Sequence, residues 1–292
     1  MEKQFKSIRA ILQPPEFHMV GDGFRVHNFF PSQIDIEQTD PFFLMDYGSK
    51  WDVSPSVKPR GVGVHPHRGF ETITIAYNGR VAHHDSAGNS GVIYEGDVQW
   101  MTAGSGILHK EYHEKEFSKK GGVFQMVQIW LNLPAKYKMT PPKYQALENN
   151  NMPRFILDNN KGHIEVIAGD YKTLIGPAST FSPVTMLNAK LSDGAKAEFR
   201  FNSTCNTGML VVEGDIKVND QKIAPEDHFI LFGNDGEDIV IEALKDCIVL
   251  VISGKPINEP VASSGPFVMN TEAEIKQAYQ DFRNGKFGSL ED

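Results

Sequence analysis

The sequence predicts an all-β protein, two β-barrels in tandem with a single α-helix at the C-terminus, and three observations carry this. Short apolar or β-branched runs alternate with glycine, asparagine and aspartate turns along most of the chain. The turn triplet Glu-Gly-Asp recurs at 95–97 and 213–215, each time between such runs, which suggests a duplicated barrel. Only near the C-terminus does the hydrophobic period change from two to about three and a half residues.

In chain order, Glu71–Tyr77, the turn Asn78-Gly79, Val92–Tyr94 and the turn Glu95–Asp97 read as hairpins, and Val123–Leu131 reads as a further strand. The pattern then breaks at Leu133-Pro134, Pro141-Pro142 and the polar stretch 148–151, an exposed connection. This gives an N-terminal domain over 1–135, a linker over 136–150 and a C-terminal domain over 151–292. The second half resumes with Gly208–Glu213, Gly214-Asp215, Ile216–Val218, Asn219-Asp220 and Ile230–Phe232, but its His163 and His228 stand alone. Thr271-x-x-Glu274 has the form of a capping box, Ile275, Tyr279 and Phe282 fall on one helical face, and Asn284-Gly285 supplies the stop. That amphipathic helix is expected to pack on one of the barrels.

The net charge of -8, from 37 acidic and 29 basic residues without a basic run, argues against direct nucleic-acid binding. No apolar stretch approaches the roughly eighteen residues of a membrane span, and residues 1–30 lack a leader pattern, so a cytoplasmic protein is expected. Cys205 and Cys247 suggest neither a disulfide framework nor a thiolate zinc site and read as small buried strand residues.

The strongest chemical signal lies in His65-Pro66-His67 and His109-Lys110-Glu111. Residues i and i+2 of a strand share a face, so each pair can aim two side chains into one cavity. Three imidazoles and a carboxylate would hold a divalent iron, nickel, copper, manganese or zinc ion. Pro66 cannot donate to a ladder, so its strand belongs at an edge, a beginning or a bulge. Glu71 competes for the carboxylate position, but on a straight strand it lies about 13 Å beyond His67 at ~3.3 Å per residue, so it needs the bend that Gly69 permits. Trp100 and Met101, ahead of the second pair, offer apolar surface for a pocket wall. His83, His84 and His113 read as surface groups or as groups backing the site, with His83 and His84 facing opposite ways.

Asp40–Asp46, His65–Thr72, Gly96–Gly104, Gly106–Glu111 and Gly265–Thr271 closely resemble the pirin family. The resemblance implies two cupin (jelly-roll-like) barrels, with metal in the N-terminal one only, and His65, His67, His109 and Glu111 as its four ligands. Glu71, where many other cupins place their ligating glutamate, is then a residue backing the site. The expected cofactor is one divalent transition metal, foremost Fe(II), with Ni, Cu, Mn, Co or Zn as alternatives. Pirins resemble quercetin 2,3-dioxygenases, so the expected activity is ring opening of a flavonol-like aromatic substrate with O2. Glu111 would be the catalytic base, with Arg68, Trp100 and Met101 lining or orienting the pocket. Animal pirins are associated instead with redox-responsive co-regulation through a protein partner, and a metal-activated water would serve a hydrolase.

Overall fold

A computed structural model describes residues 3–291, and strands dominate it. The chain forms two units, neither continuous in sequence: residues 16–36, 41–149 and 257–291 make one, and residues 3–15, 37–40 and 150–256 the other. The strands that matter for the site are, after β1 (Ile8–Leu12) of the second unit, β2 (His18–Val20), β3 (Phe24–Phe30), β4 (Phe42–Val53), β5 (Gly61–His67) and β6 (Phe70–Asn78). They continue with β7 (Val81–Asp85), β8 (Ser90–Ile93), β9 (Val98–Thr102), β10 (Ile107–His113), β11 (Gly122–Asn132) and β12 (Lys143–Leu147).

The first unit consists of a seven-stranded antiparallel sheet, ordered β12-β9-β6-β11-β4-β3-β2, and a four-stranded sheet, ordered β5-β10-β7-β8. The second unit repeats this plan strand for strand. Its larger sheet runs Ile8–Leu12, Phe229–Phe232, Asn206–Glu213, Cys247–Gly254, Val184–Leu191, Gly162–Ala168, Arg154–Ile156, and its smaller one Lys196–Arg200, Asp238–Ala243, Ile216–Val218, Lys222–Ala224. The chain therefore alternates between large and small sheets in the same order in both units. The Glu-Gly-Asp repeat is not what marks this duplication. Glu95–Asp97 links β8 to β9, whereas Glu213–Asp215 joins Asn206–Glu213 to Ile216–Val218, a step equivalent to that from β6 to β7.

Strand equivalence also shows what the second barrel contains. Lys196–Arg200 corresponds to β5 and Asp238–Ala243 to β10, and they turn Ala197, Phe199, Ile239 and Ile241 into one apolar cluster with Val211, Ile230 and Val249. Hydrocarbon fills the volume that histidines line in the first unit.

Each larger sheet is completed beside β9, or its equivalent, by a strand that the sequence does not advertise. In the first unit this is β12, inside the stretch 136–150 expected to be a linker. It pairs Lys143–Leu147 with Val98–Thr102, burying Leu147 and half-burying Tyr144 while Lys143 and Ala146 stay exposed. In the second unit it is β1, from the segment expected to belong to the N-terminal domain, paired with Phe229–Phe232. The contiguous 1–135 and 151–292 division thus differs from the structural units at both ends.

α1 (Lys115–Lys120) is a short connector capped by the Glu114 carboxylate, and α2 (Glu272–Arg283) carries the expected capping box between Thr271 and Glu274. α2 packs within the first unit, where Ile275 and Ala278 join Leu108, Phe267, Met269 and Phe287. Phe282 of the expected stripe is 38% exposed, and Asp281 is buried in its place. Cys247 is buried at the start of its strand, whereas Cys205 is half-buried in a bend outside any strand. Among the described residues no helix is long and apolar enough to cross a membrane.

Candidate metal centre

β5 lies at an edge of the smaller sheet, as Pro66 requires, and pairs antiparallel with β10 so that His65 stands opposite His109. His67 follows at i+2 on the same face. The register slips between His109 and Glu111, a bulge of the kind that re-aims side chains next to sites. The three imidazoles converge: ring centroids are 4.2 Å apart for His65 and His109, 4.7 Å for His67 and His109, and 4.8 Å for His65 and His67. One candidate ligand atom from each lies within 4.8 Å of the others.

The surroundings fix these rings. His65 Nδ1 meets the Gly63 carbonyl at 2.8 Å and His67 Nδ1 meets the Pro266 carbonyl at 3.4 Å. A ring that donates from Nδ1 there would keep the lone pair of its Nε2 for a metal. His67 also packs edge-on against Phe70 and Trp130, at 5.0 and 5.2 Å. Behind His67 the chain turns at Gly69, where φ is +89° and a Cβ would stand 2.0 Å from the Val268 carbonyl, so only glycine fits. The buried Lys138 ammonium donates to the Gly69 and Val268 carbonyls at 2.8 and 2.9 Å and fastens that turn.

Burial pushes His67 and His109 well below the usual histidine range, with the neighbouring imidazoles adding to the effect. Both are therefore neutral near pH 7 and offer lone pairs. His109, 1% exposed, has no hydrogen-bond partner for either ring nitrogen among the described residues. Buried polar atoms without partners are uncommon, and converging imidazole nitrogens suit a divalent transition ion, so the donor set fits a metal.

A cavity of about 270 Å³ opens onto this cluster, lined by His65, His67 and Glu111 together with Val20, Phe24, Val26, Val62, Met126, Trp130 and Pro266. Its remaining polar contributors are Asp46 and Gln128. Glu111 shares this wall but is held separately from the three imidazoles: Gln128 Nε2 donates to it at 2.8 Å and Thr74 Oγ1 at 3.3 Å. Burial raises the Glu111 carboxyl above the ordinary carboxylate range, which His65 and those two bonds partly offset. Asp46 is likewise raised by burial and accepts from Asn28 Nδ2 at 2.8 Å.

Other residues singled out in the sequence lie elsewhere. Arg68 is not on the cavity wall: it is buried, donating from Nε to the Ser105 carbonyl at 2.7 Å and from Nη1 to Asp281 at 2.9 Å. Trp100 pairs with Ile73 on the sheet face opposite the cavity. Met101 points inward but packs with Ala103, Ile107 and Tyr144. Glu71 shares the outward face with Trp100 and accepts from Thr102 Oγ1 at 2.6 Å. His83 and His113 are fully buried, and His84 turns away from His83 to the Tyr112 hydroxyl at 2.8 Å. Sequence reasoning missed Asp46, Gln128, Met126 and Trp130. The alternation within Gly122–Asn132 puts the last three on one face, though it does not say which face turns inward.

Residues 23–131 match the family described as Pirin, and residues 186–288 match the Pirin C-terminal cupin domain. A Pseudomonas aeruginosa protein provisionally named a quercetin 2,3-dioxygenase is 44% identical over 97% of this chain and 98% of its own length. A pirin-like protein of Solanum lycopersicum is 36% identical over 92% of this chain and 88% of its own. The crystal structure of a quercetin 2,3-dioxygenase from Acinetobacter baumannii superposes with a TM-score of 0.92 at 45% identity, covering 98% of this chain and 99% of that one. With both cupin domains matched in order and relatives aligned along nearly their whole length, the chain belongs to the pirin family.

Proposed function

We propose that this pirin is a metal-dependent dioxygenase that opens the ring of flavonol-like substrates with O2. The observation that carries the reading is the largely apolar cavity of about 270 Å³ that reaches His65 and His67 of the three-imidazole cluster, with the buried Glu111 carboxylate in the same wall. The names of relatives at 44% and 45% identity support it.

His65, His67 and His109 would hold one divalent ion, with Glu111 as fourth ligand and Fe(II) as the proposed metal. Such an ion would supply a Lewis acid for a chelating oxygen and a site for O2. The protein's own part is to bind, orient and take a proton. Phe24, Val26, Met126 and Trp130 exclude water and offer flat surface to an aromatic ring. The Glu111 carboxylate accepts the proton of the substrate hydroxyl. Gln128 and Thr74 fix the direction in which its oxygens point. Asp46, which also lines the cavity, would accept a hydrogen bond from a second hydroxyl of the substrate.

The test is aerobic incubation of iron-loaded protein with quercetin, following loss of flavonol absorption and release of carbon monoxide. Bleaching with carbon monoxide release is the expected result. Metal-replete protein that bleaches nothing with iron, nickel, copper, cobalt or manganese would move the assignment to a metal-binding module that acts through a protein partner.

A further inference from the structure

Two of the three imidazoles have a ring nitrogen tied to a backbone carbonyl, His65 to Gly63 and His67 to Pro266. His109 has none, although it is 1% exposed, and neither of its ring nitrogens has a partner among the described residues. One nitrogen can face a metal. The other must find its acceptor inside the barrel.

Strand register shows what that interior contains. His83 stands opposite Glu111, Gln99 opposite Thr74, and Thr72 opposite Trp130, so all three project to the side of the sheets that carries the site. Thr72 Oγ1, both amide atoms of Gln99 and His83 Nδ1 are buried without hydrogen-bond partners among the described residues. These residues are 1%, 1% and 0% exposed. The other ring nitrogen of His83 meets the Tyr144 hydroxyl at 2.6 Å, and the two rings stack 4.7 Å apart. Gly91 leaves room for that pair, since a Cβ there would stand 2.9 Å from His83 Nε2. Polar atoms of this kind, gathered in one interior and facing no chain partner, are the setting in which buried water is retained with two to four hydrogen bonds each.

We propose that the barrel interior behind the imidazoles binds ordered water, held by Gln99, Thr72 and His83, and that this water accepts the outward N–H of His109. It would do for His109 what the Gly63 and Pro266 carbonyls do for His65 and His67, fixing the tautomer and the ring orientation. Gln99 is then a positioning residue for the metal centre. The inference rests on the metal-centre reading and is independent of the flavonol reading.

Two measurements test it, and neither uses turnover. A crystal structure that resolves ordered solvent should show density within hydrogen-bond distance of His109 and of Gln99 or His83. An interior without such density, or His109 bonded to a protein group instead, overturns the proposal. Nickel(II) affinity, read by competition with a chelator, should fall about tenfold or more in Gln99→Met, which keeps length and loses both amide partners, while the melting temperature of the metal-free protein does not fall. Unchanged affinity overturns the proposal. Thr72→Val serves the same comparison should Gln99→Met not fold.

Discussion

Arg68 Nη1 donates to Asp281 Oδ2 at 2.9 Å, joining the residue next to His67 to one 213 positions away on α2, and the Arg68 guanidinium lies 4.6 Å from the centre of the Phe287 ring. The side chains are 5% and 9% exposed, and Lys286 Nζ completes the set on the other Asp281 oxygen at 2.7 Å. Removing one member of such a pair leaves a charge buried without its partner. Asp281→Ala is expected to destabilise the protein by on the order of 3 kcal/mol in denaturant unfolding and to weaken metal binding, because the Pro266 carbonyl that holds His67 belongs to the same C-terminal strap. A loss within ~0.5 kcal/mol would show that the pair is incidental.

That relationship also marks how far the sequence could be read. His65, His67 and His109 were legible because ligand pairs at i and i+2 depend only on strand geometry, and Pro66 told the edge position of β5 for an equally local reason. The α2 cap is likewise a signal contained within four residues. Arg68 was not legible as an ion-pair residue, since nothing near it in sequence announces Asp281. Trp100 was not legible as an outward-facing residue, because alternation assigns faces without saying which is inside. β12 was hidden in a stretch of prolines and polar residues, and β1 crosses to the other unit, because both are set by long-range pairing rather than by their own composition.

Glu71 predicts a pH dependence. Burial raises its carboxyl to about 7, with the Thr102 and Trp100 side chains only partly offsetting the effect. A carboxyl raised in the folded state binds its proton there more tightly than in the unfolded chain, so the folded state is favoured below about pH 4.5 and loses stability as pH rises through 7. The loss from this residue is at most on the order of 3 kcal/mol. Melting temperatures of Glu71→Gln across pH 5 to 8 should fall less with rising pH than those of the native protein. Identical slopes would remove Glu71 as the cause.

The cavity predicts a separation of binding from metal loading. Val26 lines it and is 2% exposed, and its side chain takes no part in the hydrogen bonds to Gly63 and Pro266 that hold the imidazoles. Val26→Phe places a ring in space that an aromatic substrate would take. The expected outcome is a KM for flavonol raised about tenfold or more, with metal content per chain unchanged by elemental analysis. An unchanged KM would place substrate elsewhere.

Glu111 and Gln128 are expected to act as one unit. Glu111→Gln keeps shape and volume but removes the anionic oxygen that would accept a proton, so turnover should fall by 10²-fold or more while the melting temperature holds. Gln128→Leu removes the 2.8 Å bond to Glu111, leaving the longer 3.3 Å bond from Thr74, and should lower kcat by about tenfold through misdirection of the carboxylate. If Gln128 works only by aiming Glu111, adding Gln128→Leu to Glu111→Gln should cost little further activity, because the group being aimed has already lost its function. Full additivity in that double-mutant cycle would show that Gln128 contacts the substrate directly. Retained turnover in Glu111→Gln with loss in Glu71→Gln would transfer the base to the opposite face of β6.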